Sequence, residues 1–312
     1  MKLAFLFPGQ GSQAVGMGAD LYANNEQAAA VLNEADAVLG YNLSALCFEG
    51  PDDKLRATNI TQPALFAVSV AALRAVEAAG ITPSATAGHS VGEYAALVAA
   101  GVMDFETGVT LVAQRGELMR QAAAAHPGGM AAVLGLPAVD VQAVCAVVTE
   151  AGDYVDVANL NGAGQVVISG EQSGVDKAGV ALKEKGARKI IPLAVSGAFH
   201  SRLMQPAVHT MRGYLELAAF QDAKVPVVAN VTAAYETKAD EIRENLSLQI
   251  ASPVRWEETI ERLLADGFDA FVEIGSGKVL TNIVRRISKE VLAVNVEDAS
   301  SLAASIAALG AG

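Results

Sequence analysis

Five consecutive apolar residues, Leu3 to Phe7, run into the polar, glycine-broken stretch Pro8-Gly9-Gln10-Gly11-Ser12-Gln13. That is the pattern of a buried strand feeding a loop. Helical periodicity follows over 21–39 and 62–79. A short strand over 84–87 leads into an apolar helix over 94–100, and a further helix over 105–125 stops at His126-Pro127-Gly128-Gly129, a strong breaker. The rhythm then changes. Strands are predicted over 129–136, 155–159, 165–169 and 188–195, with helices over 139–151 and 175–185. This βαββαβ order is that of the ferredoxin-like split unit. Beyond it the alternation resumes, with a helix from His200, a strand over 225–230 and helices around Glu241 and Glu257. A strand over 270–274, a helix over 279–287, a strand over 291–296 and a terminal helix complete the chain.

The expected fold is therefore α/β, with a discontinuous parallel-sheet domain formed by residues 1–126 and 197–312. Residues 127–196 form an inserted ferredoxin-like (βαββαβ) subdomain, and the cleft between the two is the natural place for a site. Within this frame Gly88-His89-Ser90-Val91-Gly92 matches G-x-S-x-G between a short strand and a helix. In that context the pattern predicts a nucleophile elbow, which presents one serine hydroxyl at a sharp turn and makes the large domain α/β-hydrolase-like. Gly88 and Gly92 suit such a turn, because a strained backbone at Ser90 leaves little room for neighbouring side chains.

Composition narrows the partners. The chain has 312 residues, 52% hydrophobic and 18% charged, so it can bury a large core. A formal net charge of −12 argues against nucleic acid as the main partner. The apolar start is too short, and broken too soon by Pro8, for a signal peptide, and no stretch approaches the ~18 apolar residues of a membrane span. Cys47 and Cys145 are isolated, without metal or redox spacing, so reduced thiols and a cytoplasmic location are expected.

A serine nucleophile needs a base, and the chain has four histidines. His89 adjoins Ser90 in the turn and should point away from it, as a packing residue. His126 lies in the Pro-Gly-Gly breaker and His209 inside a helical pattern. His200 stands where the inserted unit hands the chain back to the large domain, which puts it at the cleft mouth and makes it the candidate base. Rival motifs are weaker. Gly9-Gln10-Gly11-Ser12-Gln13-Ala14 fits a dinucleotide fingerprint, but that fold needs a second strand where 21–39 reads helical. Gly275-Ser276-Gly277-Lys278 lacks the first glycine and final Ser/Thr of a phosphate loop. Gly162-Ala163-Gly164 reads as a hairpin turn, and nothing has metal-ligand spacing.

Taken together, these segments resemble malonyl-CoA:acyl carrier protein transacylases. The resemblance runs from Phe7-Pro8-Gly9-Gln10-Gly11-Ser12-Gln13 through Thr61-Gln62-Pro63-Ala64, Gly88-His89-Ser90-Val91-Gly92-Glu93 and Gln114-Arg115-Gly116. It continues through Gly197-Ala198-Phe199-His200 and Gln249-Ile250-Ala251-Ser252-Pro253-Val254-Arg255-Trp256 to Glu273-Ile274-Gly275. The motifs stand in family order over essentially the whole chain.

The resemblance implies a two-step acyl transfer without cofactor or metal, from malonyl-CoA to Ser90 and on to the phosphopantetheine thiol of holo acyl carrier protein, for fatty-acid or polyketide synthesis. His200 would move the proton in both steps. The backbone N–H groups of Gln10 and Val91 would form the oxyanion hole, Arg115 would bind the malonyl carboxylate, and Phe199 would accompany malonyl rather than methylmalonyl selectivity. The backbone carbonyl of Gln249 would orient His200. An acidic enzyme meeting an acidic carrier protein needs a local positive patch, and Arg188, Lys189, Arg285 and Arg286 are the candidate basic pairs. A monomer that binds neither nucleic acid nor membrane is expected. A serine hydrolase using the same pair and a dinucleotide-binding protein are the alternatives from other classes.

Overall fold

A computed structural model describes residues 1–310. It is a mixed α/β structure with two sheets. Ten strands occur among the described residues: β1 (Leu3–Phe7), β2 (Ala85–Gly88), β3 (Gly129–Leu134), β4 (Val155–Gly162), β5 (Gln165–Gly170), β6 (Lys189–Pro192), β7 (Val227–Val228), β8 (Tyr235–Glu236), β9 (Ala270–Ile274) and β10 (Leu292–Val296). The larger sheet has the order β10-β9-β1-β2-β7-β8. Its neighbours are parallel up to β7, and β8 joins the edge antiparallel.

β1 is central and buried throughout because both of its faces are covered. Leu3, Phe5 and Phe7 enter one core and Ala4 and Leu6 the other, as the two-residue period of a strand requires. Phe7 stands in register with Gly88. The loops leaving β1 and β2 therefore open side by side at the carboxyl edge of the sheet, which is where open α/β sheets bind ligands. One face is covered by the long helices Thr58–Ala78 and Phe105–Ala125, the other by Trp256–Ala265 and Val279–Ile287.

The four-stranded antiparallel sheet, β4-β5-β3-β6, is built entirely from the segment between Gly129 and Pro192. Helices Ala138–Glu150 and Gln172–Glu184 pack on one face over Ala131, Val133, Val157 and Ile168. The alternate residues Met130, Ala132 and Val167 join the main core instead, so the opposite face looks onto the larger sheet. β4 carries two register irregularities, between Val157 and Asn159 and between Leu160 and Gly162. Such bulges bend a strand and re-aim its side chains. Its edge is tied to the large sheet's side by Leu160 N–H to the Val254 carbonyl and Val254 N–H to the Ala158 carbonyl.

Several elements depart from the pattern-based expectation. The strand expected over 188–195 shrinks to β6, Lys189–Pro192, with one further bond from Leu193 N–H to the Met130 carbonyl. The strand expected over 225–230 pairs only at Val227–Val228, and β8 is too short to leave a periodic signal. Helices Ala19–Asn24, Leu43–Glu49 and Asp52–Leu55 are likewise short. The helix expected from Gln62 begins at Thr58 and carries Pro63 in its second turn. It has the length and hydropathy of a membrane span, against expectation, but 83% of its most apolar window is buried in the protein. The helix expected from His200 starts with a 3₁₀ turn at Arg202–Met204, since His200 has φ 56° and cannot itself be helical. Ala163 lies between β4 and β5 at φ 52°, with Gly162 and Gly164 also left-handed, so this is a hairpin turn as expected. Cys47 and Cys145 are buried, free thiols, both pushed up to about 12 chiefly by burial.

One close backbone approach, at Gly92, can be tested by substitution. A Cβ on Gly92 would lie 2.2 Å from the Phe7 carbonyl oxygen, whereas one on Gly213, inside helix Gln205–Leu217, would meet nothing within 4 Å. Gly92→Ala should destabilise the fold by about 2–3 kcal/mol or more, as overpacking against rigid backbone does. Gly213→Ala should stabilise it by about 0.5–1 kcal/mol. Denaturant unfolding of the two variants checks both signs, and equal effects would contradict the packing.

Candidate active site

The site is built around the turn after β2. Ser90 has φ 53°, a left-handed conformation costly for a residue with a side chain. A Cβ on Gly88 would sit 2.0 Å from Gly92 carbon, so only glycine allows strand and helix to meet this closely. Asn230, just beyond β7, holds the turn: its Oδ1 accepts from Ser90 N–H at 2.7 Å and its Nδ2 donates to the Gly88 carbonyl at 2.7 Å. Helix Gly92–Ala99 begins immediately behind the serine, so its positive end faces any charge that develops there.

His200 lies in the loop that follows β6 of the small sheet. Its Nε2 lies 2.8 Å from Ser90 Oγ, and its Nδ1 lies 2.9 Å from the Gln249 carbonyl and 3.2 Å from that of Ser252. Carbonyls only accept, so Nδ1 carries the proton and Nε2 is left to receive the serine's. Burial, with the Arg115 guanidinium second, pushes the His200 imidazole down to about 3. It is neutral at physiological pH and ready to act as a base. No side-chain acid is among the Nδ1 partners, which are the two carbonyls, that of Gln249 as the resemblance implied.

Arg115 comes from the middle of helix Phe105–Ala125 and is 1% exposed. Its Nη1 donates to Gln62 Oε1, and its Nη2 donates to Gln249 Oε1 at 2.8 Å and to Ser90 Oγ at 3.2 Å. All three partners are neutral. A buried guanidinium normally has a carboxylate to offset its lost hydration, and burial accordingly lowers its pKa. Ser90, His200, Arg115, Val91, Gln10 and Phe199 line one cavity of about 80 Å³, with Met119 and Met130 among its apolar walls. Among the described residues neither the Gln10 nor the Val91 backbone N–H has an acceptor within the protein. Those two donors are what a developing oxyanion would require.

A larger cavity of about 280 Å³ shares Gln10, His89, Asn159, Leu193 and Val195 with the first and opens toward Gln13, Arg56 and Gln165. Its walls carry several side-chain amides. His89 points away from Ser90, as expected, yet it does more than pack. Its Nε2 bonds Asn161 Oδ1 at 2.9 Å, and its ring meets Trp256 edge-on at 5.4 Å.

The basic residues separate. Gln165 and Lys189 both pair with Leu134 across the small sheet, and Arg286 Nη2 reaches Gln165 Oε1 at 3.3 Å. Gln165 lines the larger cavity, which puts Arg286 beside its mouth, whereas Arg188 and Lys189 line a separate groove between β6 and helix Gln172–Glu184. Arg285 instead bonds the Ala293 carbonyl and lines a different groove. Three further residues belong to the site's support although pattern reading gave them no role: Gln62, Glu93 and Asn230. Gln62 and Glu93 lie inside motifs quoted above, but only tertiary contact shows what they touch. No cluster able to hold a metal occurs among the described residues.

Serine, neutral histidine, buried guanidinium and two free backbone donors around one small cavity are the parts of an acyl-transfer site. A family model for the acyl transferase domain matches residues 4–306. The malonyl CoA-acyl carrier protein transacylase of Bacillus subtilis (strain 168) is 46% identical over 99% of this chain and 97% of its own length. That of Escherichia coli (strain K12) is 42% identical over 98% and 99%. The solved acyl-carrier-protein-S-malonyltransferase of Bartonella henselae superposes with a TM-score of 0.96 at 43% identity, over 99% of this chain and all of that one. A malonyl-transacylase solved in complex with a type II polyketide-synthase acyl carrier protein gives 0.95 at 42% identity, over 99% of this chain and all of that one. The chain belongs to the malonyl CoA-acyl carrier protein transacylase family and is an acyltransferase.

The electrostatics of His200 can be read directly. Ring ¹⁵N NMR should find it neutral at pH 5, with Nδ1 protonated, where an ordinary histidine is charged. Arg115→Ala removes the second cause of the depression, so the titration should move toward higher pH. A cationic ring at pH 5 in the parent protein would contradict the buried geometry.

Proposed function

We propose that this enzyme carries a malonyl group from malonyl-CoA to holo acyl carrier protein through a malonyl-Ser90 intermediate, supplying extender units for fatty-acid or polyketide synthesis. It does so as a cytoplasmic monomer. The observation that carries this reading is Arg115, a buried cation with only neutral partners, 3.2 Å from Ser90 Oγ. In a malonyl thioester the free carboxylate lies one methylene from the acyl carbon. A cation that reads it has to stand beside the nucleophile, and this one does.

In the first half-reaction Ser90 Oγ attacks the thioester carbon while its proton passes to His200 Nε2. The tetrahedral oxyanion is met by the N–H groups of Gln10 and Val91, each such donor worth about 3 kcal/mol. Collapse breaks the C–S bond, and His200 returns the proton to the departing CoA sulfur. In the second half-reaction the carrier's pantetheine thiol gives its proton to His200 and attacks the ester, and the proton ends on Ser90 Oγ. The Gln249 carbonyl keeps His200 in the working tautomer throughout. Phe199, buried beside His200 and lining the cavity, limits what can branch from the acyl chain.

We also read residues 127–196 as a ferredoxin-like subdomain inserted into the large domain of residues 1–126 and 197–312. The strand order β4-β5-β3-β6 with two helices on one face supports that division. The subdomain's inner face roofs the cavity, and the amide-rich outer cavity suits the two amides of a pantetheine arm.

Two experiments test this reading. Malonyl-CoA without carrier should leave one malonyl group on the peptide containing Ser90, and no adduct in Ser90→Ala. In the same assay Arg115→Ala should lose malonyl loading by roughly 10²–10³-fold while acetyl loading holds or rises, since breaking a buried pair costs about 3–5 kcal/mol. Equal loss of both substrates would remove Arg115 as the carboxylate reader. For the carrier, reversing charge at Arg188, Lys189 and Arg286 together should raise KM for acyl carrier protein by about tenfold and leave KM for malonyl-CoA unchanged. Arg285→Glu should do neither, and a parallel rise for both substrates would reject the patch.

A further inference from the structure

Gln249 does more than lend its backbone carbonyl to His200. Its side-chain Oε1 accepts from Arg115 Nη2 at 2.8 Å, and its Nε2 donates to the Ser90 carbonyl at 3.0 Å and to Glu93 Oε2 at 2.6 Å. One residue thus touches the base, the cation and the backbone of the nucleophile. An amide can turn by half a revolution and exchange its oxygen for its nitrogen, so something must fix its sense. Arg115 can only donate, while the Ser90 carbonyl and the Glu93 oxygen can only accept from Nε2. The reversed amide would set N–H against N–H and oxygen against two oxygens.

Glu93 is fully buried, at 0% exposure, in the first turn of the helix behind Ser90. Its Oε2 also accepts the Asn230 N–H at 3.3 Å. The two residues whose side chains hold Ser90's own backbone groups, Asn230 on its N–H and Gln249 on its carbonyl, therefore meet at a single oxygen, Asn230 through its backbone N–H and Gln249 through its amide. We propose that Glu93 is a positioning residue: it fixes the sense of the Gln249 amide, and so aims Arg115 at the acyl group's carboxylate. Its other oxygen, Oε1, has no partner. Burial, followed by the nearby Glu236, raises the Glu93 carboxyl above the ordinary carboxylate range. A neutral acid protonated on Oε1 still accepts through Oε2, so a neutral amide of the same shape should replace it.

The inference rests on the reading of Arg115 given above, and the test separates the two. Ser90 loading by malonyl-CoA and by acetyl-CoA is timed by quenched mass spectrometry in the parent, Arg115→Ala, Glu93→Met and Glu93→Gln, with folding checked by thermal unfolding. Glu93→Met should lower the malonyl-to-acetyl ratio on the order of tenfold, the cost of leaving a buried amide N–H without its acceptor. Glu93→Gln should keep the ratio within about twofold of the parent. A role in stability alone would slow both substrates together in Glu93→Met, and that result overturns the proposal. Should Glu93→Met fail to fold, Glu93→Gln still decides, because a collapsed ratio in that variant is equally fatal. If Arg115→Ala loses the ratio and folded Glu93→Met keeps it, the positioning role alone falls. If neither moves it, the carboxylate-reading role of Arg115 falls and this inference with it.

Discussion

The turn at Ser90 is the constraint to which the rest of the molecule is fitted. A left-handed serine between a central strand and a helix is unfavourable in isolation and persists only where its surroundings over-determine it. Gly88 and Gly92 let strand, helix and the end of β1 close to backbone contact. Asn230 and Gln249 take up the serine's N–H and carbonyl. His200 also has a positive φ, so both members of this hydrogen-bonded pair are held in conformations an unsupported chain would avoid. Strain placed this way keeps Ser90 Oγ and His200 Nε2 in register before any substrate arrives.

The same rigidity governs the charges. Arg115 is buried among amides and a hydroxyl, and amide dipoles offset only part of its lost hydration. The positive potential left in the cavity acts on its neighbours. It helps keep His200 neutral and opposes a second cation there, and an anionic acyl group would relieve it. A carboxylate behind the histidine would work against this arrangement, because it would offer Arg115 a competing partner within the site. Backbone carbonyls orient the imidazole without adding charge.

The small sheet completes the cavity. Period-two alternation sends Val133 and Ile168 into its own helices and Met130, Ala132 and Val167 toward the large sheet. The irregular register of β4 brings Asn159 to the cavity wall and Asn161 to His89. The result is an apolar pocket around the reacting atoms and a polar passage leading to it. In the proposed function the acyl group would occupy the first and the carrier's polar arm the second.

The sequence by itself determined the alternation of strands and helices, the switch to βαββαβ order after Gly129 and the elbow at Ser90. These features are local: hydrophobic period, breakers and glycine spacing act within a few residues. It also pointed to His200, through its place just after the βαββαβ segment. The sequence motifs carried Arg115 and Gln249 as expectations drawn from resemblance. Tertiary structure alone decided that Arg115 meets only neutral groups, that the Gln249 side chain binds three partners, and that Arg286 and Arg285 face different surfaces. Gln62, Glu93 and Asn230 acquire meaning in the same way. Their hydrogen bonds join residues separated by 53, 156 and 140 positions, and a buried polar side chain far from its partner leaves no periodic mark on the chain. What it touches is settled by how the sheets and helices pack, because only packing brings its partner within reach.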